Sequence, residues 1–134
     1  MKDSCTSDNR PYDLIVVGAG SAGFSASITA AEAGKRVALI GHGTIGGTCV
    51  NIGCVPSKAM IRAAEALHGA NTAARFPGIS GAGLLNDWSR LIAGKDDLVT
   101  KLRQKKYADL LPAYEGVEYI DEGPATLIDG GIEV

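Results

Sequence analysis

The sequence predicts an α/β fold: a parallel sheet covered by helices, with a short β-meander near the C-terminus. Three observations carry that prediction. Short apolar runs rich in β-branched residues stand at Asp13–Val17 and Lys35–Ile40, as expected of strands buried on both faces. Between them, Gly18-Ala19-Gly20-Ser21-Ala22-Gly23 makes a glycine-rich turn into a helix over Ala22–Gly34, with Gly34 placed to close it as a C-cap. Near the end, Val117–Ile120, Ala125–Ile128 and Ile132–Val134 read as short strands, the last two joined by a tight turn at Asp129-Gly130-Gly131.

The first ten residues are polar, of mixed charge and aperiodic, and are expected to form a mobile tail that carries Cys5 as an accessible thiol. At 134 residues and 46% hydrophobic composition the chain is long enough for one domain with a core, and the stretch from 11 to 134 is read as a single continuous segment. A net charge of −2 gives no electrostatic case for nucleic acid or for an anionic membrane. Three cysteines are too few for a disulfide-stapled secreted scaffold, which favours a reducing, cytoplasmic compartment. Leu14–Ala31 lacks charge, but Gly18, Gly20 and Gly23 interrupt it and Asp3, Asp8 and Asp13 precede it, which argues against both a membrane helix and a signal peptide.

Strand, turn, helix and second strand make a βαβ unit, and in that setting the pattern G-x-G-x-x-G gains meaning. Its glycines allow a tight turn, close approach of backbone to a pyrophosphate, and close packing of helix on strand, while the helix N-terminus favours an anion. The unit is Rossmann-like. One expected part is missing, because the acidic residue that holds a ribose hydroxyl at the end of the second strand is replaced by Gly41 in Ala38-Leu39-Ile40-Gly41-His42-Gly43. Either His42 or a backbone group makes that contact, or the nucleotide is held without it.

The chemistry concentrates in Gly46-Gly47-Thr48-Cys49-Val50-Asn51-Ile52-Gly53-Cys54-Val55-Pro56-Ser57-Lys58. On one regular helix the Cα atoms of Cys49 and Cys54 would stand about 8–9 Å apart, beyond the reach of a disulfide. Pairing therefore requires a break between them. Gly53 permits the break, and Pro56 suits the first turn of the helix that follows. Cys54 then lies at a helix N-terminus, where partial positive charge favours a thiolate. A structural or zinc-binding dithiol is the plain alternative, but it would have to recruit His42, His68 or Cys5 at spacings that match no common zinc arrangement. Lys58 taken alone is a solvated charge.

The two motifs together, G-x-G-x-x-G at Gly18–Gly23 and G-G-T-C-V-N-I-G-C-V-P-S-K at Gly46–Lys58, resemble the flavin-dependent pyridine nucleotide–disulfide oxidoreductases, and their wording is most similar to the mercury-reducing members. The resemblance covers about residues 12 to 134. It implies an FAD-binding domain of which this chain is the first segment, with the NADPH-binding and dimer-forming domains elsewhere in a longer, homodimeric protein. It implies that Gly18, Gly20 and Gly23 carry the FAD pyrophosphate and that Gly43, Gly47, Thr48 and Lys58 line the FAD site. Cys49 and Cys54 would be the redox pair, with Cys54 beside the flavin and Cys49 the outer thiol that meets the substrate. That substrate is Hg(II), alone or as a small thiol complex, in the mercury-reducing members; in a disulfide reductase such as dihydrolipoamide dehydrogenase it is another disulfide. A non-enzymatic thiol–metal binding module is the alternative of a different class.

The remaining chain reads as support. Ser57–Ala74 is a helix with Met60, Ala64 and Leu67 on one face, most simply packed against the sheet, and His68 is an ordinary surface residue. A loop opens at Phe76-Pro77-Gly78 and runs through Gly83. A second amphipathic helix from about Asp87 to Leu111 lines up Trp88, Leu91, Ile92, Leu98, Val99 and Leu102 and ends at Pro112. Lys101, Arg103, Lys105 and Lys106 make its solvated face, and Tyr107 and Tyr114 are packing residues. The abrupt end inside a strand agrees with an opening portion of a longer protein, which by itself is expected not to turn over NADPH.

Overall fold

In the computed structural model, which describes residues 11–134, strands β1 (Leu14–Val17), β2 (Val37–Ile40) and β3 (Val117–Ile120) form a parallel sheet in the order β1-β2-β3. The expected tail and Cys5 lie outside the described residues. All four side chains of β2 are buried, which is why its sequence is an unbroken apolar run rather than an alternating one. Leu39 stands opposite Val16 on one side and Tyr119 on the other.

Helix α1 (Ser21–Glu32) connects β1 to β2 and buries Phe24 and Ser27. It ends as the sequence suggests. Gly34 adopts a positive φ of 75°, its N–H donates to the Ala31 carbonyl at 2.8 Å, and the Lys35 N–H donates to the Ala30 carbonyl at 3.0 Å. Those two bonds are a Schellman closure, which only a residue tolerant of left-handed backbone completes without strain.

At the N-terminal ends of the strands, the Arg36 guanidinium lies 4.4 Å from the centre of the Tyr12 ring and 3.2 Å from the Glu118 carboxylate. The Tyr12 hydroxyl donates to Glu118 at 2.6 Å, and the Arg36 N–H donates to the Asp13 carboxylate at 2.9 Å. This exposed cluster ties all three strands at one end and leaves the opposite, C-terminal ends for the glycine turn. Of the three C-terminal runs, the first joins the parallel sheet as β3. The meander is therefore a two-stranded antiparallel ladder of β4 (Thr126–Ile128) and β5 (Gly131–Glu133), turned at Gly130 with φ 79°.

These elements belong to one compact unit, residues up to Gly43 together with Leu111–Val134; Thr44–Leu110 make a second. The second unit is helical: α2 (Gly47–Asn51), α3 (Cys54–Asn71) and α4 (Trp88–Arg103). Asp87 caps α4 by accepting from the Arg90 N–H at 2.9 Å.

Three expectations need correction here. The face of α3 carrying Met60, Ala64 and Leu67 lines a groove with Leu84, Trp88 and Leu91, so its packing partner is α4 and the loop before it. The helix expected to run to Leu111 leaves α geometry after Arg103 and continues as a π turn over Gln104–Ala108. In a straight α-helix Tyr107 would stand about 80° round from Val99. The extra residue in the wider turn brings it back to the same side, and both are buried. Finally, Arg103 is not on a solvated face, because it donates to the Asn51 side chain at 3.0 Å. Among the described residues no helix is long and apolar enough to cross a membrane.

Candidate active site

The glycine turn begins where β1 ends. Gly18 takes φ 112°, its N–H donates to the Ile40 carbonyl at 2.7 Å, and Gly20 is the N-cap residue of α1. No side chain caps that helix start through Gly20, and its first turn carries no acid, so the dipole there favours a bound anion. A Cβ on Gly23 would overlap the Gly18 carbonyl oxygen and stand 3.3 Å from Val16. Only glycine lets the helix start sit this close to the strand. These features fit a dinucleotide pyrophosphate held on backbone amides, the group that the spacing of Gly18, Gly20 and Gly23 calls for.

Gly41 follows β2 at the position where the fingerprint places a carboxylate. The room a side chain would need there is filled from β3: a Cβ on Gly41 would lie 2.5 Å from the Tyr119 hydroxyl. The sequence leaves His42, a backbone group or no contact at all as the alternatives, and His42 is exposed.

In the helical unit, Cys49 sits in the short helix α2 and Cys54 is the first residue of α3. The break falls at Ile52-Gly53, as the disulfide geometry required. A Cβ on Gly53 would stand 2.9 Å from the Thr48 carbonyl oxygen and 3.3 Å from the Cys49 Cα. The glycine therefore allows the start of α3 to approach the first cysteine. Pro56 falls in the first turn of α3, where its missing N–H costs no helical bond. Ser57 closes that turn, its hydroxyl donating to the Gly53 carbonyl at 2.7 Å.

Both thiols are free and exposed, and Cys54 acts on the proton of Cys49. The hydrogen bond with Cys54 is the main cause that raises the Cys49 thiol above its ordinary value, followed by partial loss of water and the charge of Cys54. Two effects oppose it: the Cys54 backbone N–H donates to the Cys49 sulfur, and the Lys58 ammonium favours the thiolate. Cys49, Cys54 and Lys58 thus act on one another. Their arrangement can hold one proton between two sulfurs, close a disulfide, or offer two soft ligands to a metal ion.

Asn51 and Arg103 are the structural residues that sequence reasoning missed. The Asn51 amide donates to the carbonyls of Ile45 at 3.0 Å and Gly47 at 2.8 Å, while its oxygen accepts from Arg103. It holds the loop that enters α2, and hence the position of Cys49. The signal was present, since a half-buried amide inside a glycine-rich motif finds backbone partners, but those partners are not sequence-specific.

Of the other expected residues, Gly43 takes φ 83° and Gly47 takes φ 67°, while Thr48 and Lys58 are exposed. Gly18, Gly20 and Gly23 form one coherent turn, and Cys49, Cys54 and Lys58 one coherent cluster. His42 and His68 are exposed, and among the described residues no group of three or more His, Cys, Asp or Glu is placed to hold a metal ion.

The chain is similar to known proteins. The profile described as pyridine nucleotide-disulphide oxidoreductase matches residues 12–131. The chain is 50% identical over 119 residues to a mercuric reductase of Streptomyces lividans, covering 89% of this chain and 25% of that protein. It is 48% identical over 118 residues to a mercuric reductase of Staphylococcus aureus, covering 88% and 21%. Among solved structures, the HOCl-induced flavoprotein disulfide reductase of Escherichia coli superposes with a TM-score of 0.67 at 32% identity, covering 87% of this chain and 23% of that one. The chain thus spans about a quarter of the length of the relatives it matches.

Proposed function

The chain belongs to the pyridine nucleotide-disulphide oxidoreductase family, and on that premise we propose that residues 11–134 are the first segment of the FAD-binding domain of an NADPH-dependent mercuric reductase. The observation that carries the reading is the thiol pair. Cys49 and Cys54 are exposed, free and hydrogen-bonded across a glycine break, with Lys58 close enough to favour a thiolate. Similarity to two mercuric reductases at 50% and 48% identity supports mercury as the substrate.

A bound flavin would supply the two-electron chemistry between the pyridine nucleotide and the thiol pair. The chain's own residues do the rest. Gly18, Gly20 and Gly23 hold the pyrophosphate; Gly43, Gly47, Thr48 and Lys58 line the cofactor's site; Cys54 faces the flavin and Cys49 faces the substrate. A soft, thiophilic Hg(II) displaces the two thiol protons and forms two S–Hg bonds, which a hard cation would not do. Two-electron reduction to Hg(0) breaks both bonds and returns the thiolates, because neutral mercury is a poor acceptor of sulfur lone pairs. A thiol pair that meets the metal in its reduced form suits the cytoplasm, and a homodimer is part of the same proposal.

The test uses the protein at the length its gene encodes. Hg(II)-dependent NADPH oxidation is expected, and Cys49→Ala or Cys54→Ala should lower it roughly a hundredfold or more. The similarity to a flavoprotein disulfide reductase favours one competing outcome. Turnover of lipoamide or glutathione disulfide with no response to Hg(II) would replace mercury by a disulfide as the substrate. A colourless protein that still binds metal would replace the enzyme by a binding module.

A further inference from the structure

The turn at Gly18–Gly23 belongs to a fingerprint that ends in an acid on the ribose, and Gly41 removes that acid. The place is nonetheless occupied. At the C-terminal ends of the sheet the Gly18 N–H donates to the Ile40 carbonyl and the Gly41 N–H to the Ile120 carbonyl at 2.9 Å, so the three strands end side by side. Leu39 pairs with Tyr119, and alternate positions of a strand share a face, so the direction a side chain on Gly41 would take is the face that carries Tyr119. The tyrosine ring crosses the glycine there. A Cβ on Gly41 would stand 2.5 Å from the phenol oxygen, 2.7 Å from Cε2 of the same ring and 2.8 Å from the Cβ of Ala19. Ala19 is the second residue of the glycine turn, so the hydroxyl lies beside the turn itself.

Tyr119 is half-buried, and its hydroxyl makes no hydrogen bond to any described residue. Burial first, and then the charge of Asp121, raise the phenol above its usual range. It is therefore a neutral group able both to donate and to accept, held at the crevice outside the strand ends where doubly wound sheets take their ligands.

We propose that the Tyr119 hydroxyl makes the hydrogen bond to the ribose of the adenosine half of the bound dinucleotide, replacing the carboxylate that Gly41 lacks. The inference rests on the flavin reading given above. It also explains why position 41 is glycine, since any larger residue would displace the ring that does the work. Tyr119 is a binding residue in this account and takes no part in electron transfer.

The test is a titration of the flavin-free, gene-length protein with FAD and with an FAD analogue whose adenosine is 2′,3′-dideoxy, followed by quenching of flavin fluorescence. Wild type is expected to prefer FAD over the analogue about three- to tenfold, the effect of one hydrogen bond. Tyr119→Phe should weaken FAD by a similar factor, leave the analogue unchanged and so abolish the preference. If Tyr119→Phe binds both as wild type does, or weakens both while keeping the preference, the proposal is overturned, the second result marking a packing role. A wild-type protein that binds FAD without preferring it to the analogue overturns the inference and leaves the flavin reading standing; one that binds no flavin overturns both.

Discussion

The sheet unit and the helical unit each bring backbone close to backbone through a glycine, but they support that contact differently. At Gly23 the contact lies beside a strand system whose central member, Val37–Ile40, is wholly buried. At Gly53 it lies among exposed thiols, on a helix that buries none of its own side chains. The glycine turn is thus positioned by apolar packing and the thiol pair by polar backbone contacts from Asn51 and Ser57. A turn that cradles one cofactor benefits from rigidity. A thiol pair that must open, close and bind substrate benefits from bonds that can be kept while the sulfurs change state.

The contrast can be broken most directly through the core. Leu39 is fully buried in the central strand, and Leu39→Ala is expected to cost about 3–4 kcal/mol through lost transfer energy and a residual cavity. Trp88 on α4 is 58% exposed, and Trp88→Ala should cost well under half as much despite removing more atoms. Urea unfolding of the gene-length protein measures both. Equal losses would show that the helical unit has an apolar core of comparable weight, and the contrast would fail.

A finer form of the comparison uses the glycines themselves. Gly23→Ala places a methyl on a backbone carbonyl that cannot swing aside, and should cost about 3 kcal/mol, the upper end of overpacking, with loss of flavin retention. Gly53→Ala meets the Thr48 carbonyl at 2.9 Å, where a small shift of the α2–α3 join relieves it, for about 1–2 kcal/mol. Its distinguishing effect is chemical. Flavin should be retained, while disulfide formation between Cys49 and Cys54, followed by thiol counting after mild oxidation, slows.

What the sequence disclosed follows the same division. The βαβ unit, the closure at Gly34 and the break at Gly53 are local, and each is written in a few neighbouring residues whose backbone demands are known. Tyr119 over Gly41 was not legible, because strand pairing brings together residues far apart in the chain and no pattern near either one announces the other. The pairing of α3 with α4 was hidden for a related reason: an apolar stripe states that a helix has a partner without naming it. The π turn at Gln104–Ala108 shows the limit of periodicity, since after Leu102 four polar residues intervene and Tyr107 falls off the α-helical stripe until the backbone changes phase to bury it.

The smallest expected effect separates the forces inside the thiol pair. Cys49 holds its proton above the ordinary range chiefly because of its hydrogen bond with Cys54, and Lys58 pulls in the other direction. Cys54→Ala removes both the bond and the sulfur's charge, so the pH midpoint for alkylation of Cys49 by iodoacetamide should fall. Lys58→Met removes the opposing positive charge, so that midpoint should rise. The two shifts differ in their response to salt as well as in sign. The Lys58 ammonium is exposed, and its influence should fade as ionic strength rises through a few tenths molar, where the screening length drops below about 8 Å. The effect of Cys54 is a direct contact and should persist. Shifts of the same sign in the two variants would mean that Cys49 responds to a general loosening of the α2–α3 join rather than to these two neighbours. In that case the polar contacts at Gly53, and not the sulfur and ammonium, would set the reactivity of the pair.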